Sequence, residues 1–398
     1  MNFTKTKTSS EFQVQQQKMT MTRRACLKHL GLVVAAIGSP ALLHQSLAIG
    51  WENRPQPVAA PEELAVIDQL VQGFMNSYEV AGFSVAIARR GQMVLQKGFG
   101  VANDNQDKVT PSHLFRIASV SKPVTSATIF SLIEQGLVEV DDLVFGTQGI
   151  LGSGYGKRVS EEVGKITLHH LLMHTCGGWS NDADDPMFQH PELNHHGLIE
   201  QTINTVPLQH SPGERYAYSN FGYCVLGRVI EKIAGKSYVE TVQNAVLTPC
   251  GIHTMQLATN TPAKNEVQYY GKKERDPYGM NISRMDSHGG WIGTPGDLVR
   301  FALRVDGFNT CPDILSEKAI EVMTTPTSAN PHYACGWSVN RVPNWWHTGS
   351  LPGTTTLLAR TASGLCWAAF ANSRTEGIEG ALDNLMWQIA KAVPAWQA

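Results

Sequence analysis

The chemistry that this sequence can support begins at a serine and a lysine three positions apart. Ser119 and Lys122 stand where a polar turn leads into an apolar stretch that is closed by Gly136. Pro123 is tolerated only in the first turn of a helix, so the pattern places Ser119 at a helix start. Residues three apart share one helix face, and a helix N-terminus stabilises developing negative charge. Lys122 can therefore assist removal of the Ser119 proton, which would make Ser119 a nucleophile.

A second polar element strengthens this interpretation, because a Ser-x-x-Lys pair alone also fits a capping serine and a solvated lysine. Tyr218 and Asn220 precede an apolar pattern of helical spacing at residues 226–233. They are therefore expected at a helix entrance, where polar side chains can project into a cleft.

The third element lies at the end of a strand-like run near the end of the chain. It is the consecutive set His347, Thr348, Gly349 and Ser350. A strand edge that contains a glycine lets a substrate backbone approach closely and pair with it.

Ser-x-x-Lys, Tyr-x-Asn and His-x-Gly, in this order and near these separations, resemble the motifs of the β-lactamase-related serine hydrolases. This superfamily includes the class C β-lactamases, D-Ala-D-Ala carboxypeptidases and esterases. Residues 166–178 and 289–298 are similar to two further stretches typical of the family, with Cys176 in place of a serine. The resemblance covers about residues 61–395 and implies a β-lactamase/transpeptidase-like fold with an acyl-enzyme mechanism.

The resemblance also implies a role for each motif residue. Ser119 would attack a carbonyl carbon, and Lys122 and Tyr218 would share the work of general base and acid. Asn220 would orient Lys122 and the substrate amide. The backbone N–H groups of Ser119 and Ser350 would form the oxyanion hole, and His347, Thr348 and Gly349 would complete the substrate-binding edge.

The third motif departs from the Lys-Thr-Gly that β-lactamases and penicillin-binding enzymes commonly have. A lysine is a permanent cation, whereas a histidine with its ordinary pKa of about 6.5 is mostly neutral at neutral pH. His347 therefore favours esters, amides or D-amino-acid peptides over penicillins, as in the His-x-Gly branch of the family. At acid pH an imidazolium at His347 is expected to favour substrates that carry a carboxylate. The alternative is a histidine without a catalytic part.

The order of the elements predicts an α+β fold. A helical pattern at 61–80 precedes strand-like runs at 83–88 and 93–99, and residues 120–310 are mostly helix and loop. Strand-like runs return at 335–340, 345–349, 354–360 and 365–371, and an amphipathic helix follows from Ile378 to Val393. We therefore expect an antiparallel sheet built from both chain ends, flanked by helices, with a mostly helical region inserted.

Composition excludes several classes of protein. The 398 residues carry 32 Lys+Arg and 34 Asp+Glu, with 42% hydrophobic residues. These values exclude a disordered chain and give no electrostatic reason for a nucleic-acid partner. No Cys/His spacing indicates zinc, and His170 and His174, although four apart, lack the glutamate of a zinc-protease motif. We expect no metal, no cofactor and no particular disulfide, and a small-molecule or peptidoglycan-derived substrate.

The first 48 residues differ from the rest. They contain six basic residues and one acidic residue, and an apolar run at 30–43 ends in the small residues of Ser46-Leu47-Ala48. The run is too short and too interrupted for a stable membrane span. It predicts a bacterial export signal at 1–48, a linker at 49–60, a catalytic domain at 61–398 and a periplasmic or secreted protein. Thr22–Lys28 resembles a twin-arginine signal, with Cys26 where phenylalanine is usual; a Sec signal or a short anchor is the alternative.

Two function classes fit the three motifs. The first is an exported serine hydrolase that acts on an ester, amide, D-amino-acid peptide or β-lactam. The second is a catalytically silent, penicillin-binding-like protein that binds a cell-wall fragment or a partner through the same cleft. Reactive residues fill all three motifs, which favours the enzyme.

The twin-arginine interpretation generates the first prediction. Replacing Arg23 and Arg24 together by lysine keeps the charge but removes the guanidinium pair, so the protein is expected to stay in the cytoplasm. Immunoblots of periplasmic and cytoplasmic fractions measure this. Unchanged periplasmic recovery would instead indicate Sec export or an anchor.

Overall fold

The structure is a computed structural model that describes residues 59–155, 159–182, 184–271 and 275–396. The predicted export signal, and the linker except for its last two residues, lie outside this part of the chain. The helices are α1 (Pro61–Ser77), α2 (Ser121–Glu134), α3 (Leu168–Leu172), α4 (His195–Thr205), α5 (Asn220–Ala234), α6 (Tyr238–Val242), α7 (Pro295–Ala302), α8 (Glu317–Thr324) and α9 (Ile378–Ala392). The strands are β1 (Gly82–Arg89), β2 (Gln92–Gly100), β3 (Phe115–Arg116), β4 (Gln256–Leu257), β5 (Tyr270–Gly271), β6 (Trp291–Gly293), β7 (Ser338–Val339), β8 (Trp345–Leu351), β9 (Thr354–Arg360), β10 (Leu365–Ala371) and β11 (Ser373–Arg374).

The main sheet has six strands in the order β2-β1-β10-β9-β8-β7, and every neighbouring pair is antiparallel. Its centre joins the two ends of the chain, because β1 pairs with β10 from Phe83 opposite Ala371 to Arg89 opposite Leu365. The prediction of an α+β fold with a sheet built from both chain ends is therefore confirmed.

Side chains alternate between the two faces of this sheet. On one face, α1 and α9 pack against each other and against the strands, and Trp367 meets Trp387 edge to face at 4.9 Å. Full burial of each large apolar side chain in this layer contributes about 1.5–3 kcal/mol. The layer includes Ile67, Val71, Phe74, Phe83, Val85, Ile87, Leu382, Met386 and Ile389.

The opposite face supports the helical region that carries the nucleophile. α7 and the short 3₁₀ turn Ala118–Val120 pack against the sheet, and α2 follows directly from that turn. α2 is buried along nearly its whole length, and two of its polar side chains bond to backbone carbonyls of other segments. Thr125 Oγ1 donates to Ser287 O at 2.6 Å, and Ser126 Oγ donates to Cys335 O at 2.8 Å. The start of α2 is thus held from both sides.

The structure differs from the sequence pattern in two places that concern the site. The predicted strand at 335–340 is reduced to β7, because Gly336 has a φ of +79° and Cys335 N donates to Met323 O of α8. A small sheet, β3-β6-β4, was not predicted from the sequence. It places the segment that precedes β6 beside the start of α2, since Ile117 N donates to Trp291 O at 2.9 Å.

Within the described residues, the helices are too short or too polar to cross a membrane. The apolar run at 30–43 lies outside those residues.

Candidate active site

Ser119 lies in the 3₁₀ turn Ala118–Val120, immediately before α2. Ala118 has a φ of +49°, a left-handed conformation that is uncommon outside glycine. Pro123 falls in the first turn of α2, as its missing N–H predicts. The nucleophile predicted from sequence therefore stands at the N-terminus of a rigid, buried helix.

Lys122 is completely buried beneath Ser119. Its Nζ lies 3.0 Å from Ser119 Oγ, 2.8 Å from Asn220 Oδ1 and 3.0 Å from His288 O. Burial lowers the pKa of Lys122 well below its ordinary value, and the charge of Asp185 opposes this shift. A neutral amine has two N–H groups and one lone pair. The amide and carbonyl oxygens can only accept, so they take both N–H groups and leave the lone pair for the Ser119 hydroxyl.

Asn220, the first residue of α5, is oriented by an acid that sequence reasoning missed. Asn220 Nδ2 donates to Asp185 Oδ2 at 2.9 Å, while Met187 N donates to Asp185 Oδ1 at 2.9 Å. Because the amide nitrogen faces Asp185, the amide oxygen must face Lys122. Asp185 is one of several acids in the long loop before α4, and no motif or periodicity distinguishes it in the sequence.

Tyr218 lies over the same lysine and contacts the nucleophile. Lys122 Nζ lies 4.7 Å from the centre of its ring, and Ser119 lies close enough to influence the pKa of its hydroxyl. Burial raises the pKa of Tyr218 far above its ordinary value. The phenol is therefore neutral in the resting site and can act as a proton donor.

His347 is buried in β8, with Nδ1 2.6 Å from Thr348 O and Nε2 3.1 Å from the Tyr333 hydroxyl. Burial, followed by the charge of Lys122, lowers the pKa of His347 to about 3. The expectation that acid pH converts this side chain into a cation is therefore wrong. Desolvation holds the imidazole neutral throughout pH 5.5–8.5, so His347 does not supply charge for a substrate carboxylate.

Gly349 determines how closely β8 approaches the nucleophile. A Cβ on this residue would overlap Ile117 O and Thr356 Oγ1, and would lie 3.1 Å from Ala118 Cβ. The absence of a side chain lets the strand lie directly against the turn that carries Ser119. Thr348, by contrast, is exposed toward the cavity in front of β8.

The predicted residues meet around one cavity of about 560 Å³. Its walls include Ser119, Tyr218, Asn220, His347, Thr348 and Ser350, while Lys122 lies beneath the floor. Ser119 and Ser350, whose backbone N–H groups would form the predicted oxyanion hole, thus both line the cavity.

The cavity wall also carries charge that the motifs did not indicate. Arg275 and Arg374 line it, and its described lining includes no aspartate or glutamate. Arg374 Nη1 lies 3.4 Å from Ser350 Oγ, which itself donates to Glu379 Oε1 at 2.9 Å. The guanidinium carbon of Arg275 lies 5.5 Å from the centre of the Phe188 ring. Neither arginine belongs to a recognisable spacing pattern in the sequence.

The two histidines spaced four apart have separate positions. Thr167 N donates to His170 Nδ1 at 3.2 Å, which caps α3. His174 is buried behind Tyr218, with the two ring centres 4.2 Å apart.

The close approach at Gly349 generates a prediction. Gly349→Ala is expected to push β8 away from Ser119 and so to lower kcat/KM for a p-nitrophenyl ester at least tenfold. Overpacking by the added methyl group is expected to lower the free energy of unfolding by about 1–3 kcal/mol. Gly380→Ala in α9 is the matched control, because a Cβ there meets nothing within 4 Å. Steady-state kinetics and thermal unfolding measure both variants. Equal kcat/KM in the two variants would contradict the proposed packing.

Comparison with known proteins agrees with this geometry. The Beta-lactamase family profile matches residues 67–391. Protein flp of Staphylococcus aureus (strain COL) is 28% identical over 208 residues, which cover 51% of this chain and 40% of that protein. This chain therefore matches about two fifths of the length of that relative.

Two solved structures share the fold. D-amino acid amidase from Ochrobactrum anthropi SV3 has a TM-score of 0.68 at 21% identity, covering 84% of this chain and all of that one. D-alanine carboxypeptidase AmpC from Burkholderia cenocepacia has a TM-score of 0.64 at 20% identity, covering 83% of this chain and 99% of that one. With the family match over most of the sequence, the chain belongs to the Beta-lactamase family of serine hydrolases.

Proposed function

We propose that this protein is an exported hydrolase that cleaves an ester, amide, D-amino-acid peptide or β-lactam through an acyl-enzyme on Ser119. The observation that carries the proposal is the set of contacts around Lys122. Two acceptors hold its N–H groups, and the third direction faces the Ser119 hydroxyl at 3.0 Å. This is the arrangement that a general base needs.

The reaction follows from these contacts. Ser119 Oγ bonds to the substrate carbonyl carbon, its proton moves to Lys122 Nζ, and the carbonyl electron pair moves to oxygen. The N–H groups of Ser119 and Ser350 stabilise that oxyanion. As the bond to the leaving group breaks, Tyr218 gives its proton to that group and takes one back from the Lys122 ammonium. A water oxygen then bonds to the acyl carbon and gives a proton to Lys122 Nζ. The bond from the acyl carbon to Ser119 Oγ breaks, Oγ takes that proton back, and the carboxylic acid product leaves.

Mass spectrometry tests the acyl-enzyme. After a pulse of a p-nitrophenyl ester or nitrocefin, the added acyl mass is expected on the peptide that contains Ser119. Ser119→Ala is expected to abolish this adduct. The melting temperature of the variant is expected to stay within a few degrees of wild type. An adduct on another residue, or one that survives the substitution, would refute the assignment. Binding without acylation would support the penicillin-binding-like alternative.

The cavity charge supports a narrower substrate class, namely acyl donors that carry a carboxylate. Since His347 is neutral, the side chains that can attract an anion into the cavity are Arg275 and Arg374. Arg374 adjoins Ser350, the proposed oxyanion donor, and is therefore within reach of a group attached near the scissile bond. D-alanine peptides, which the name of the carboxypeptidase neighbour suggests, end in such a carboxylate, whereas the D-amino-acid amides suggested by the other neighbour do not.

This charge argument predicts a substrate-dependent effect of Arg374→Gln. It is expected to lower kcat/KM about tenfold for a D-alanyl ester donor with a free carboxylate, and much less for the same donor with that carboxylate amidated. Arg341→Gln is the matched control, because Arg341 is exposed and does not line the cavity, and it is expected to leave kcat/KM for both donors unchanged. If Arg374→Gln lowers kcat/KM equally for both donors, Arg374 does not recognise the carboxylate.

Export is part of the proposal and rests on sequence features alone. The basic flank, interrupted apolar run and small residues at 46–48 support removal of the first 48 residues and a periplasmic or secreted catalytic domain. A peptidoglycan-derived substrate would be available in that compartment.

A further inference from the structure

A line of buried hydrogen bonds runs behind the active site and joins residues of the motif stretches through Tyr333, which belongs to none of them. Ser219 N donates to His174 Nδ1 at 3.0 Å, and His174 Nε2 lies 3.1 Å from the Tyr333 hydroxyl. That hydroxyl lies 3.1 Å from His347 Nε2, and His347 Nδ1 lies 2.6 Å from Thr348 O. His174, Tyr333 and His347 are each at most 4% exposed. The line connects the loop that carries Tyr218 to β8.

The two ends of this line determine the direction of every bond. A backbone N–H can only donate, so His174 Nδ1 is an acceptor and the proton of the neutral ring is on Nε2, which donates to Tyr333. A backbone carbonyl can only accept, so the ring proton of His347 is on Nδ1. Its Nε2 is then an acceptor for the Tyr333 hydroxyl proton. All donors and acceptors in the line are satisfied in this single arrangement.

The rings of this line also enclose Tyr218. The centre of the Tyr218 ring lies 4.2 Å from that of His174, 6.2 Å from that of Tyr333 and 6.2 Å from that of His347. Tyr333 is the only link between the two imidazoles in this line, and its hydroxyl contacts both. A change of tautomer at either histidine would break a bond at Tyr333 and loosen the wall behind the Tyr218 phenol.

We propose that His174 and Tyr333 are positioning residues that hold His347 in its Nδ1–H tautomer and thereby keep β8 and the Tyr218 phenol aligned for proton transfer at Ser119. The proposal rests on the acyl-enzyme function proposed above. In this proposal, His347 of the third motif positions its neighbours for catalysis. Related enzymes instead have a charged lysine at that position.

Several ionisable groups face the line, and they disfavour imidazolium within it. Burial, followed by Lys122, lowers the pKa of His174 and of His347. The rings of Tyr216, Tyr218 and Tyr223 pack against the His174 ring. Arg275, Arg374 and the buried His288 also line the cavity in front of the line. The Tyr333 hydroxyl favours neutral His347 by donating to Nε2, so its removal is expected to raise the pKa of His347.

The test combines nitrogen NMR of the histidines with kinetics of the full chain. In ¹⁵N-histidine-labelled wild type, the signals that disappear in His347→Gln are expected to report an Nδ1–H ring, and those that disappear in His174→Gln an Nε2–H ring. Both sets of signals are expected to stay constant from pH 5.5 to 8.5. Tyr333→Phe removes one hydroxyl without changing ring packing and is expected to abolish the single Nδ1–H tautomer of His347. Its kcat for a neutral p-nitrophenyl ester is expected to fall about tenfold, with KM changed less than twofold.

Tyr216→Phe is the matched control, because its ring packs against His174 and Tyr333 but its hydroxyl is outside the line. It is expected to preserve both tautomers. Two variants of His174 distinguish positioning from loss of folding. His174→Gln retains a donor toward Tyr333 and is expected to keep more of the wild-type kcat than His174→Phe. Melting temperatures of both variants show whether they fold.

Two outcomes would overturn the proposal. One is a wild-type His347 that titrates in this pH range or carries its proton on Nε2. The other is a Tyr333→Phe variant with the wild-type tautomer and the wild-type kcat. Failure of the wild type to form an adduct on Ser119 would refute the proposed function instead, and the NMR result would stand independently of it.

Discussion

The rest of the structure depends on the burial of one amine, Lys122 Nζ. The fold must give this amine hydrogen-bond partners, because a buried charge without partners is unfavourable. An isolated ammonium in such a place is strongly disfavoured, so the surrounding groups must either pair it or hold it neutral. Three oxygens from three separate segments surround it, and Asp185 fixes the orientation of the amide among them. The positions of α2, α5 and the segment before β6 are thereby tied together. The same contacts that satisfy the amine also aim it at the nucleophile.

The main sheet supplies the second constraint. Because β1 and β10 pair at its centre, the C-terminal strands are held in register with the N-terminal hairpin, and β8 is delivered to the start of α2. Gly349 permits contact between β8 and Ile117–Ala118, and the Thr356 hydroxyl donates to Ile117 O at 2.9 Å. The side chains of a catalytic site must be held within about 0.5 Å, and strands packed on a buried helix provide such support better than loops do.

The electrostatics of the site divide into a neutral interior and a cationic cavity wall. Behind the reacting atoms, burial moves the pKa of Lys122, Tyr218, His174 and His347 in the direction that disfavours the charged form. Along the cavity, two guanidinium groups remain accessible to substrate. The cationic side chains and the buried ionisable groups thus lie in different parts of the site. In Lys-Thr-Gly enzymes, by contrast, the third motif itself carries a cation.

The sequence by itself determined the features of the protein that local residue patterns encode. Apolar spacing located the terminal helices to within about three residues and gave the observed bounds of the strands at 354–360 and 365–371. The Ser-x-x-Lys, Tyr-x-Asn and His-x-Gly motifs named residues that meet around the cavity. Only the tertiary structure decided the ionisation of His347, because a pKa depends on burial and on neighbours such as Lys122 that are distant along the chain. It also decided the parts played by Asp185, Tyr333 and Arg374, which stand alone in loops or short strands and belong to no periodic pattern. Their importance comes from the atoms that folding places within hydrogen-bonding distance, and that distance is not a property of sequence spacing.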